Sequence, residues 1–112
     1  MKTKLRKDKS QKKPTESYQS WLIESLKDKK EAAMYLQVAL DEYQQDGNVE
    51  VLLLALRNVA QAQGGIGSLS KRTNLNRESL YKTLSVKGNP KLQTLGLLLK
   101  GLGFHLSIKA VV

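Results

Sequence analysis

With 112 residues the chain suits one domain with a modest core, and its 40% hydrophobic and 26% charged residues argue against wholesale disorder. The absence of cysteine excludes a disulfide scaffold and a thiolate metal site, and no apolar run approaches the roughly 20 residues that span a bilayer. The net charge of +9 is unevenly placed: residues 1–14 carry seven Lys/Arg against one Asp, residues 15–70 four against eight Asp/Glu, and residues 71–112 eight against Glu78 alone.

A polyanion is the natural partner for that basic C-terminal part. The missing cysteines and the lack of an apolar N-terminal block suit a cytoplasmic location, with no membrane partner. Residues 1–14 (MKTKLRKDKSQKKP) read as a disordered basic tail, either a solvated terminus or a source of nonspecific DNA contacts. Residues 15–47 form an N-terminal extension. Its first part, TESYQSWLIESLK, is either a short helix or an extended segment, since Tyr18, Leu22 and Leu26 fall at helical spacing. Tyr18, Trp21, Leu22, Ile23 and Leu26 are an apolar cluster, either a flap over the next helix or a docking patch for another protein.

A helix is expected over residues 28–45. Asp28 is its N-cap, with Glu31 completing a capping box. Ala32, Ala33, Leu36, Ala39, Leu40 and Tyr43 recur at helical spacing, and Gly47 is the stop. Asn48 opens the next unit, residues 48–103, by capping a helix over 49–63. Leu52, Leu53, Leu56, Val59, Ala60 and Ala62 make that helix apolar around much of its circumference, so it should be central.

Next comes SLSKRTNLNRESLYKTL, residues 68–84, which reads as short helices over 68–73 and 77–84 joined by a tight turn. Gly67 should cap the first; Asn74 should take positive φ, which Asn visits more readily than other residues with a Cβ. Asn76 should cap the second helix, and Leu69, Leu75, Leu80 and Leu84 should be core. Arg77, Glu78, Ser79, Tyr81 and Lys82 give the second helix more hydrogen-bonding capacity than packing requires. A helix–turn–helix with a polar, basic second helix is a DNA reader by default.

Residues 85–90 are a loop of turn formers, and 91–102 an amphipathic helix stopped by Gly103. Residues 104–112 alternate apolar and polar, a strand pattern. A lone strand needs a partner. With no other strand in the chain, the expectation is pairing with a second copy that buries Phe104, Leu106 and Ile108 in a homodimer. Catalysis has little to stand on: His105 is the single histidine, and no metal-ligand spacing, phosphate loop or nucleophile constellation is present, so no enzyme, metal or cofactor is expected.

From Leu22 onward the chain resembles the addiction-module antidote proteins, HigA-like antitoxins with a phage-repressor-type helix–turn–helix. The motifs are ESLKDKKEAAMYLQVAL, ALRNVAQAQGG and LSKRTNLNRESLYKTLSVKGNPKLQTLGLLLKGLGFHLSI, of which residues 77–90, ending in KGNP, are the most specific. Together with the elements read above, the resemblance gives a mainly α fold: a five-helix phage-repressor-like helix–turn–helix bundle with an N-terminal helical extension and, from the alternation of residues 104–112, a C-terminal dimerising β-strand. It also implies neutralisation of a small basic toxin of the RelE/ParE type and repression of the chain's own operon as a dimer. The toxin would meet the N-terminal extension, residues 15–47, at the cluster of Tyr18, Trp21, Leu22, Ile23 and Leu26, with the acidic 15–70 stretch facing its basic surface.

By the same resemblance, Arg77, Glu78 and Lys82 face bases in the major groove of double-stranded operator DNA. Arg77 would grip guanine O6/N7, while Glu78 either accepts from a cytosine amino group or orients Arg77. Ser79 and Tyr81 would contact phosphates or base edges, and Asn76, Lys71, Arg72, Lys87 and Asn89 would border the groove. Ser70 and Asn74 depart from the alanine and glycine usual at their positions. A stand-alone phage-type repressor, and an interaction module whose helix–turn–helix is merely structural, are the alternative readings.

Overall fold

A computed structural model describes residues 14–111 as six helices. They are α1 (Pro14–Ser25), α2 (Lys29–Asp46), α3 (Val49–Ala62), α4 (Gly65–Thr73), α5 (Arg77–Thr83) and α6 (Leu92–Gly101). The expected basic tail lies outside the described residues, apart from Pro14, which opens α1 where its missing N–H costs nothing. Among the described residues no helix is long and apolar enough to cross a membrane.

The helix ends follow local chemistry. Asp28 accepts from the N–H groups of Lys30 and Glu31, so it caps α2. The reciprocal half of the box is replaced, because the Asp28 N–H goes to the Ser25 carbonyl. Gly47 ends α2 at φ 72° and Asn48 caps α3 through the Glu50 N–H. The fourth helix starts earlier than expected: Gly64, at φ 115°, precedes it, and Gly67 stands inside its first turn.

Central α3 buries Leu52, Leu53, Ala55, Leu56, Val59 and Ala60, and it packs against α1, α2 and α4. The α4 helix in turn carries α5 and α6. One apolar cluster runs through all six, taking Leu22 and Leu26 from α1 and its end, Leu36 from α2, Leu69 from α4, Leu80 from α5, and Leu98, Leu99 and Leu102 from the last helix and its end. Burial of these leucines, each about 1.5–3 kcal/mol in transfer terms, is what holds helices this short.

The mainly α expectation holds, but two parts of it do not. Six helices stand where five were expected, because residues 14–25 coil and dock on α3. The dimerising C-terminal β-strand is absent: no strand occurs among the described residues, and 104–111 runs without a ladder partner. Its alternation does other work. Phe104 donates its N–H to Leu99 O at 2.7 Å, packs on the core, and lies under the Lys29 ammonium, 5.2 Å from the ring centroid. Ile108 is 99% exposed. A period-two pattern shows which side chains share a face; it does not supply the neighbouring edge that makes a strand.

Candidate nucleic-acid interface

The α4–α5 pair is joined by Asn74, Leu75 and Asn76 alone. Asn74 takes φ 64°, the one positive value among described non-glycine residues, and donates its N–H to Ser70 O at 2.9 Å. The turn carries two more braces: Ser70 Oγ donates to Leu75 O at 2.5 Å, and Thr73 Oγ1 donates to Leu69 O and accepts from the Leu75 N–H. Serine at position 70 therefore supplies a bond that alanine could not make. It partly offsets the left-handed cost of Asn74, about 1–2 kcal/mol for a residue with a Cβ.

Asn76 caps α5, its Oδ1 accepting from Glu78 N at 2.8 Å and Ser79 N at 3.2 Å. Leu80 and Leu84 are buried and fix the helix to the bundle, leaving Arg77, Glu78, Ser79, Tyr81 and Lys82 exposed. The Arg77 guanidinium arches back over the first turn of α4; a Cβ added at Gly67 would lie 3.5 Å from its Nη2. Lys71, Lys87 and Asn89 are also exposed. Lys87 and Asn89 ride a loop pinned to the end of α5 by Ser85 Oγ donating to Lys82 O and by the Gly88 N–H donating to Ser85 O.

Arg72 is engaged elsewhere. Its Nη1 donates to Gly101 O at 2.9 Å, and its Nη2 donates to Gln63 O at 2.6 Å and Ser68 Oγ at 2.9 Å. Those carbonyls end α6 and α3, where the helix dipoles are negative. Two other cations behave alike: Lys29 Nζ donates to Leu102 O at 2.6 Å, and Arg57 Nη1 to Leu84 O at the end of α5. These three cations thus close helix ends from the surface, and the basic face left to a partner is narrower than the composition implies.

The family described as "probable addiction module antidote protein" matches residues 17–110. The chain belongs to that family. It is also 32% identical over 74 residues to an uncharacterized protein of Haemophilus influenzae (strain Rd), a match covering 66% of this chain and 75% of that protein. No solved structure matches. Membership in an antidote family implies a toxin as partner.

The apolar N-terminal cluster divides between inside and outside. Leu22 and Leu26 are core and Ile23 is half-buried, whereas Tyr18 and Trp21 project together, ring centroids 5.7 Å apart at 37°. Of the residues expected between two copies, Phe104 is half-buried and Leu106 and Ile108 are exposed.

One polar group in the fold escaped the sequence reading. Asn58 is 4% exposed, accepts from Gln19 Nε2 and donates to Tyr35 Oη, both at 2.9 Å, so one amide ties α1 and α2 to α3. Its sequence signal was a polar side chain one turn from both Ala55 and Ala62, on the buried stripe of an apolar helix.

Proposed function

We propose that the protein is the antitoxin of a type II toxin–antitoxin module in the cytoplasm. It neutralises a RelE/ParE-type toxin and represses its own operon by placing α5 in the major groove, as a HigA-like protein with a phage-repressor-type helix–turn–helix. The observation that carries the DNA half is α5 itself: it buries Leu80 and turns Arg77, Glu78, Ser79, Tyr81 and Lys82 outward from a capped, braced turn. Arg77, Glu78 and Lys82 read base edges; Asn76, Ser79, Tyr81, Lys71, Lys87 and Asn89 hold phosphates. Tyr18 and Trp21 are the toxin contacts of the first helix, since Leu22 and Leu26 are buried and Ile23 is half-buried.

Two arginines five residues apart separate this reading from a merely basic surface. Arg77→Ala should weaken operator binding by about 1–3 kcal/mol in a gel shift while leaving the melting temperature in place. Arg72→Met should instead lower stability, by about 1 kcal/mol for exposed charge-assisted bonds. Unchanged operator affinity in Arg77→Ala would leave the helix–turn–helix a structural element only.

A single motif reads half of a useful site, and half-sites lie about 34 Å apart, so the operator-bound form is a homodimer. Leu106 and Ile108 are the apolar side chains that a second copy covers, by side-chain packing. Light scattering should return twice the chain mass, and Ile108→Asp should return it to one; a monomer at operator-binding concentrations rejects the dimer.

A further inference from the structure

We infer that the toxin is gripped by the outer stripe of α2, centred on Met34 and Val38 and flanked by Asp41 and Glu42. This rests on the antitoxin reading above and adds to it the surface that does the work. Residues 31–56 hold no Lys or Arg and five carboxylates, the longest stretch without a cation in a basic chain. In α2 the inner stripe of Ala32, Leu36 and Ala39 is buried against α3. The outer stripe repeats at positions 34, 38, 41 and 42, the spacing that lines one face of a helix.

Met34 and Val38 on that face are 65% and 58% exposed, and Gln37 Nε2 donates to Asp41 Oδ1 at 2.9 Å, holding one carboxylate in place. An apolar pair edged by carboxylates suits a basic protein. Nucleic acid is repelled by it, and a second copy would set acid against acid. Methionine adapts its shape to a partner, and interface centres are enriched in it. The Asn58 amide bonds both Gln19 of α1 and Tyr35 of α2, so the two helices meet α3 at one level.

The α3 helix stands between α2 and the α4–α5 pair, packing against both α2 and α4. The acidic face and the basic face therefore belong to different layers, and the toxin and the operator bind together. The protein then reports toxin supply as a ternary complex; the toxin does not displace it from DNA.

The probe is the purified basic protein encoded in the reading frame adjacent to this chain's own. Met34→Ala/Val38→Ala should raise its Kd by about tenfold or more, the loss expected when central contacts are truncated. Asp41→Asn/Glu42→Gln should flatten the dependence of Kd on salt. Both variants should keep the wild-type melting temperature and operator affinity, and operator-bound protein should take up the probe.

Variants that bind as tightly as wild type would overturn the α2 surface while the antitoxin reading stands. Wild-type protein that does not bind the probe removes that reading itself. A change of oligomeric mass in Met34→Ala/Val38→Ala would assign the stripe to a second copy, and competition between probe and operator would reject the two-face arrangement.

Discussion

Asn58→Ala should destabilise the fold by about 2–4 kcal/mol, combining a small cavity with two lost part-buried hydrogen bonds. The amide is the one polar side chain among the fully buried residues described, and its oxygen and nitrogen are both committed, to Gln19 and Tyr35. Truncation leaves the hydroxyl of half-buried Tyr35 facing a void, while exposed Gln19 loses the bond that ties α1 to α3; a partly buried group without a partner costs more than the bond itself stabilises. At about 4–8 °C per kcal/mol for a domain of this size, the melting temperature should fall by at least 8 °C. Tyr35→Phe, which removes one bond and keeps the ring, should cost about 1 kcal/mol. Equal melting temperatures for wild type and Asn58→Ala would show that α1 is held by Leu22 and Leu26 alone.

Gly88→Ala should cost about 3 kcal/mol, the upper end of overpacking effects, and should weaken operator binding as well. Steric approach, and not backbone sign, sets the requirement. A Cβ at position 88 would fall inside the contact radius of the Thr83 carbonyl oxygen, 2.7 Å from the Thr83 carbonyl carbon and 3.1 Å from Lys82 O. Those atoms are the end of α5 and cannot move without unwinding it. The loop must lift instead, carrying Lys87 and Asn89 away from the recognition helix. Thermal unfolding together with a gel shift would decide it; a variant that keeps both values would show that the loop has room to spare. Glycine in the KGNP motif is therefore explained by packing against α5.

The resemblance to antidote proteins rested largely on that motif, and the family match over residues 17–110 agrees with it. What the period-two pattern carried too far was the C-terminal segment. Alternating Phe104, Leu106 and Ile108 read as a strand, yet Phe104 serves as an anchor under Lys29, and residues 104–111 pair with nothing. The basic surface was also overdrawn, since a composition count cannot distinguish Arg77, which faces outward, from Arg72, which closes two helix ends.

Sequence by itself determined the features whose partners lie within a turn of the chain. Asp28, Asn48 and Asn76 cap helices because their oxygens reach N–H groups two or three residues on. Gly47 and Asn74 turn the chain because glycine and asparagine enter the left-handed region at least cost. The apolar repeat of α3 marked the central helix for the same local reason. Tertiary structure decided whatever depends on residues far apart. Asn58 meets partners 39 and 23 positions away, and Arg72 meets Gly101 29 positions on. Only the packed bundle could separate Leu22 and Leu26, which entered the core, from Tyr18 and Trp21 beside them. Periodicity orders side chains around one helix, but which side meets a neighbour is set by the other helices.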